Sequence, residues 1–269
     1  MSESKGERLD AYLVSAGYVT GREKAKELLA SGQVLVNGAV VTKASRRVFA
    51  TDVVTCDAPA QKYVGRGGFK LEKAVNGAGL SLVGLTAMDV GASTGGFTDC
   101  MLQNGAAHVY AVDVGHDQLH PSLREDDRVT VLEGTDIRSE KLAETVSAGS
   151  VDFCSVDVSF VSLSYILPAI LPYLSADATL VCLIKPQFEA GKSAIGKHGV
   201  VKDPKAHIRV LADQLSLFAG HHLVPVWVGH SPITGGEGNI EYLAVLRRQG
   251  EGILVDPTAV VKTAFAQLK

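Results

Sequence analysis

From residue 70 onward, short apolar runs alternate with helical stretches, and this alternation limits the possible folds more than any other feature of the chain. The runs cover residues 86–90, 108–114, 129–132, 151–158 and 179–184. Each has the length of a strand, and the segments between them are long enough for crossover helices. Repeated βαβ units of this kind build a largely parallel sheet covered by helices. Two later runs, 223–228 and 241–246, are separated by a Gly/Pro loop without a helical pattern. They predict an antiparallel hairpin at one edge of the sheet. The fold class is therefore α/β. A chain of 269 residues, 46% of them hydrophobic, has room for that core and a smaller unit besides.

Several classes are excluded early. No apolar run reaches the roughly 18 residues of a membrane span, and the polar start Met-Ser-Glu-Ser-Lys-Gly-Glu opens no signal-peptide core. A cytoplasmic location and no membrane partner are expected. Cys56, Cys100, Cys154 and Cys182 form no CxxC pair, and three of them sit in apolar stretches, which predicts buried thiols rather than disulfides or a zinc site. Net charge is −3, but its distribution is uneven: residues 1–66 carry ten Lys/Arg against seven Asp/Glu, and the rest carry 16 against 22. A basic head on an acidic body suggests two parts with different tasks.

In the head, Leu9, Tyr12, Leu13 and Ala16 recur at helical spacing, with Gly17 as a stop. Thr20-Gly21-Arg22-Glu23 has the capping-box pattern and precedes a second amphipathic run through Ala25, Leu28 and Leu29, ended by Gly32. Val34-Leu35-Val36, Asn37-Gly38 and Val40-Val41 read as a hairpin with a primed turn, and 52–55 as another short strand. The stretch from Arg8, and above all "ASGQVLVNG", resembles the S4 RNA-binding domain over roughly residues 6–60. The resemblance implies that Arg8, Arg22, Lys26, Lys43, Arg46 and Arg47 lie along an RNA-facing surface, where they would neutralise phosphates without reading bases. Arg66, in the glycine-containing linker that follows, is grouped with them. Taken singly, each also reads as an ordinary solvated charge. The expected division is 1–61 for this domain, 62–66 for the linker and 67–269 for the α/β domain.

The first strand of the body ends in Asp89-Val-Gly91-Ala-Ser93-Thr94-Gly95-Gly96-Phe97-Thr98. Glycines at the carboxyl end of a strand let the backbone approach a ligand beside a helix N-terminus. The spacing is not GxGxxG, which argues against a nicotinamide dinucleotide. Asp113 closes the second strand 24 residues after Asp89, where a carboxylate can accept both ribose hydroxyls. Asp136 follows the third strand, at the place where an adenine amine would be held. Five parallel strands with a terminal hairpin resemble the Rossmann-like methyltransferases, and that likeness implies S-adenosyl-L-methionine as cofactor.

Asp157 ends the fourth apolar run and Lys185 the fifth, so both lie over the carboxyl edge of the sheet, where ligands of open α/β folds sit. Lys185 directly follows Leu180-Val-Cys-Leu-Ile184, which makes it either a snorkelling lysine or a functional one. Lys70 lies on a helix leading into the first strand, and Glu241 starts the last strand. The motifs "GRGGFKLEKA", "DVGASTGGFTDCML", "AVDVGHDQL", "VDVSFVSL", "LIKPQFEAGK", "GVVKDP" and "GNIEYL" resemble the TlyA family of rRNA methyltransferases, also called haemolysin A, over nearly the whole chain. The body is similar to FtsJ-type 2′-O-methyltransferases. That resemblance implies a catalytic Lys–Asp–Lys–Glu tetrad, which falls by motif on Lys70, Asp157, Lys185 and Glu241. Gly65 stands where Ser is common, and Phe69 precedes the first lysine. The implied reaction is 2′-O-methylation of cytidine in small-subunit rRNA, large-subunit rRNA or both, with Lys185 as general base and ribosomal subunits as partners.

The residue types suit that chemistry. A lysine accepts the 2′-hydroxyl proton only in its neutral form, which a neighbouring ammonium, desolvation and a cationic sulfonium all favour. Asp157 and Glu241 would orient the two lysines, and two lysines among the carboxylates argue against magnesium. Lys192, Lys197, Lys202 and Lys205 either grip phosphates or are solvated loop charges. His116, His120 and His198 lack ligand-like spacing and read as surface or loop residues. Two other readings are a ribosome-binding factor without catalysis and, less favoured, a membrane-active haemolysin, for which no strongly amphipathic cationic helix is seen.

Overall fold

The helical spacing near the N-terminus is present in the computed structural model, which describes residues 6–16, 18–19, 21–49, 51–56, 62–191, 194–196 and 198–268. The chain divides into two compact units, 1–64 and 65–269. In the first, β1 (Glu7–Arg8) leads into α1 (Leu9–Ser15), and α2 (Arg22–Ala30) packs against it. Gly17 and Thr20, the expected helix stop and capping residue, lie outside the described residues. Strands β2 (Val34–Val36) and β3 (Ala39–Val40) form the predicted hairpin. Asn37 and Gly38 have φ of 54° and 78°, as a primed turn requires of both central residues. β4 (Arg47–Val48) pairs with β1, and β5 (Val54–Cys56) lies along β2, slightly later than the expected 52–55. Asn37 fastens the hairpin to the β5 arm, since its Oδ1 accepts the Val53 N–H (2.8 Å) and its amide donates to Asp52 (2.7 Å). Leu9, Leu13, Ala25, Leu29, Val34 and Val36 form the core.

The second unit is built on α3 (Gly67–Gly77), β6 (Thr86–Val90), α4 (Gly96–Gln103), β7 (His108–Val112), α5 (Pro121–Arg124), β8 (Val129–Leu132), α6 (Glu140–Thr145), β9 (Val151–Val156), α7 (Leu163–Ile170), β10 (Leu174–Ile184), α8 (Pro186–Glu189), α9 (Pro204–Gly220), β11 (Val224–His230), β12 (Tyr242–Arg247) and α10 (Pro257–Leu268). The sheet runs β11-β12-β10-β9-β6-β7-β8. Its last five strands in that order are parallel, and β12 is antiparallel to both of its neighbours.

The terminal hairpin therefore has its second strand inserted. β12 sits between β10 and β11, leaving β11 at the edge. Composition explains the order. Tyr242 to Leu246 are all buried, as a strand covered on both faces must be. β11 is only half-buried over most of its length and carries Pro225, which lacks a ladder donor; the pairing slips between Pro225 and Trp227. Cys100, Cys154 and Cys182 are buried and Cys56 is half-buried. Among the described residues, no helix is long and apolar enough to cross a membrane.

One polar group stands inside this core. Asp89 is fully buried on β6, where it accepts the Thr98 N–H (2.9 Å) and hydroxyl (2.7 Å) from α4 and the Ser155 hydroxyl (2.8 Å) from β9. It ties strand, neighbouring strand and helix together beneath the glycine turn. Burial pushes its carboxyl up to about 6 against the pull of those hydroxyls. An unfolded aspartate titrates near 3.9, so the fold holds this proton more tightly than the unfolded chain does. The resulting stabilisation is complete below about pH 4 and is lost as pH rises toward 6. Asp89→Asn should therefore gain on the wild type by about 2 kcal/mol between pH 4 and pH 7, read from denaturant midpoints. A stability difference that stays constant over that range would refute the raised value.

Candidate active site

Sheet order decides where a site can form. β6 and β9 are adjacent, while their chain connections lead to opposite sides, so a crevice opens between their carboxyl ends. Gly91 follows β6, Asp157 follows β9 and Lys185 follows β10. Because β12 runs the other way, its leading residue comes to the same edge, with Tyr242 in register with Ile184. Glu241 thus arrives beside Lys185 from the far end of the chain, and α3 carries Lys70 to the same place.

The four residues form two ion pairs. Lys185 Nζ lies 2.6 Å from Asp157 Oδ1 and donates to Ser159 Oγ at 3.0 Å. Lys70 Nζ donates to Glu241 Oε2 at 2.7 Å, while Glu241 Oε1 accepts from Gln187 Nε2 at 3.0 Å. Lys70, Lys185 and Glu241 are 9%, 8% and 1% exposed. All four residues line one cavity of about 770 Å³. The crevice floor is tight: Asp157 N–H donates to Val90 O (2.9 Å), and a Cβ on Gly91, at φ +86°, would fall 2.4 Å from the Asp157 carbonyl oxygen. Only glycine suits that position.

A second cavity of about 480 Å³ runs from Gly91 and Ser93 past Asp113 to Asp136 and Ile137. Asp113 Oδ2 accepts the Ser93 N–H (2.8 Å) and Oδ1 the Gly115 N–H (2.7 Å), so each oxygen keeps a lone pair for a further donor. Asp136 is already gripped by Arg138, Nε to Oδ1 at 2.9 Å and Nη2 to Oδ2 at 2.5 Å. That guanidinium holds its carboxyl down at about 2, with burial opposing. The two cavities meet along Gly91, Ser93, Asp157, Ser159 and Phe160.

Other predicted residues stand elsewhere. Asp89, Thr94, Gly95, Gly96 and Phe97 line neither of these cavities. Gly96 instead lets α4 meet the start of α3, since a Cβ there would fall 2.9 Å from Gly68 N. Arg66 donates to Thr234 O at 2.9 Å, tying the start of α3 to the loop before β12. Arg8 grips the buried Asp10 with two 2.9 Å bonds, and Arg47 donates to Gly6 O (2.6 Å). Arg22, Lys26 and Lys43 are exposed and Arg46 is half-buried. Lys192 and Lys197 lie outside the described residues; Lys202 and Lys205 are exposed, and His198 lines the rim of the larger cavity.

The sequence reading missed several residues that shape the site. Glu133, just past β8, accepts the N–H groups of Asp117 (3.0 Å), Gln118 (2.8 Å) and Leu119 (2.9 Å) and pairs with Arg124. Burial pushes its carboxyl up, but those donors hold it at about 2. It fixes the loop carrying Gln118, a wall of the smaller cavity. Glu189 accepts from Ser162 Oγ (2.7 Å), Leu163 N (2.9 Å) and Gln214 Nε2 (3.0 Å), bracing the segment after Lys185 against α7 and α9. Phe160, at φ +65° and 90% exposed, stands where the cavities join, its ring 5.0 Å from that of Phe188. The available signal was, for Glu133, a carboxylate directly after an apolar strand run; Glu189 and Phe160 carried none.

Comparison with known proteins agrees with this architecture. Residues 63–248 match the FtsJ-like methyltransferase family and residues 7–54 the S4 domain. The chain is 42% identical over 250 residues to the 16S/23S rRNA (cytidine-2′-O)-methyltransferase TlyA of Mycobacterium tuberculosis, covering 92% of each. It is 41% identical to hemolysin A of Brachyspira hyodysenteriae, over 88% of this chain and 98% of that one. The solved structure of a hemolysin from Streptococcus thermophilus superposes with a TM-score of 0.76 at 39% identity, covering 97% of this chain and 96% of that one. With an S4 domain ahead of this sheet, the chain belongs to the FtsJ-like methyltransferase family.

Proposed function

We propose that this protein transfers a methyl group from S-adenosylmethionine to the 2′-hydroxyl of a cytidine in ribosomal RNA of the small subunit, the large subunit or both. The observation that carries the reading is the Lys185–Asp157 pair, 2.6 Å apart, with Asp157 at the junction of two cavities. One cavity suits a donor and the other an acceptor. The smaller has the volume of a typical cofactor site and offers Asp113 to a ribose diol and Asp136 or its neighbouring backbone to an adenine. When bound there, S-adenosylmethionine supplies an electrophilic methyl, which the 2′-oxygen takes while the methyl–sulfur electron pair stays on sulfur.

The chain's own residues do the rest. Lys185 Nζ receives the hydroxyl proton, and Asp157 holds the amine in place and balances the charge it gains. Lys70 brings a second amine to the wall of the same cavity. Glu241, held by Lys70 and Gln187, keeps that amine's charge from being wholly uncompensated. Most of the acceleration comes from holding hydroxyl, methyl and sulfur in line. Phe160 gives an exposed aromatic face on which a splayed-out base can stack. Its left-handed backbone costs about 1 kcal/mol, as expected where position matters more than local ease. Residues 1–61 would deliver RNA through Arg22, Lys26, Lys43, Arg46 and the free edges of Arg8 and Arg47, with 62–66 as linker to the catalytic part, 67–269.

Labelled methyl transfer to ribosomal subunits, followed by mapping of ribose methylations, tests this. Lys185→Met should lower kcat by about 10³-fold and leave the dissociation constant of S-adenosylhomocysteine close to that of wild type. Wild-type protein that leaves every rRNA ribose unmodified sinks the reading. Phe160→Ala should raise KM for RNA about tenfold, the loss of one stacked base; an unchanged KM would remove Phe160 from the RNA path.

A further inference from the structure

A neutral primary amine has two N–H bonds and one lone pair, and it can serve as a base only if the lone pair faces the proton. Lys185 Nζ lies 2.6 Å from Asp157 Oδ1 as an ion pair, and it donates a hydrogen bond to Ser159 Oγ at 3.0 Å. Asp157 thus supplies the counter-charge, whereas Ser159 fixes where an N–H points and so restricts the directions left to the lone pair. The ring of Phe188, whose centre is 5.8 Å from the nitrogen, offers no acceptor comparable to these oxygens.

We infer that Ser159 is a positioning residue whose hydroxyl, by accepting an N–H of Lys185, steers the amine lone pair toward the acceptor hydroxyl in the cavity. The inference rests on the 2′-O-methyltransferase reading above. Ser159 lines both cavities, at their junction, and is exposed. Its hydroxyl therefore packs nothing that the fold needs. During transfer the hydroxyl proton passes to Nζ, which then has three N–H bonds, one of them still held by Ser159, while Asp157 balances the charge gained.

The test is steady-state methyl transfer to ribosomal RNA by wild type, Ser159→Ala and Ser159→Thr. Ser159→Ala should lose up to about tenfold in kcat, the worth of one hydrogen bond between neutral groups, with KM for RNA and melting temperature unchanged. Ser159→Thr, which keeps the hydroxyl, should restore most of the rate. An alanine variant with wild-type kcat overturns the inference, and so does a loss confined to KM, which would make Ser159 an RNA contact. A fall in kcat that threonine fails to restore also overturns it, because the hydroxyl would then not be the cause. Wild-type protein without any transfer would instead overturn the functional reading itself, so the two failures are distinct.

Discussion

A buried ammonium is tolerated only beside a counter-charge, and this sheet edge holds two of them. Lys70 and Lys185 are both more than nine-tenths buried, each against one carboxylate. Taking the partner from a buried pair leaves a naked charge and costs about 3–5 kcal/mol. Asp157 and Glu241 are therefore firmly bound into the fold, whatever else they do. The two pairs also differ in reach. Lys185–Asp157 joins the ends of neighbouring parallel strands, whereas Lys70–Glu241 joins the first helix of the catalytic unit to its last strand. The second pair forms only when the sheet is complete.

Much of this was legible in the residues. Strand-length apolar runs gave β6 to β10 within a few positions, and Asp157 and Lys185 stood at strand ends, where an α/β sheet presents its ligands. The insertion of β12 was also written in the chain, in the contrast between an unbroken apolar run and a run interrupted by Pro225, although a pattern of two runs alone suggests only a hairpin. What escaped depends on the direction of single side chains. Asp89 looks like a pocket residue until its carboxylate is seen turned inward to Thr98 and Ser155. Arg8 looks like a wholly solvated charge until Asp10 is found buried beneath it. Asp136 likewise meets Arg138, two residues on. Glu133, Glu189 and Ser159 serve loop amides or a neighbouring amine, and no periodicity predicts which way a loop faces.

The insertion of β12 sets the order in which the sheet can be completed as the chain is made. β10 emerges from the ribosome with one edge open, and the strand that covers it comes only after α9 and β11 have been made. Until then Lys70 lacks Glu241, and the start of the unit is not yet fastened to its end. The closing contact of the sheet is thus made in its interior and not at its edge, by a strand that must slide between two others.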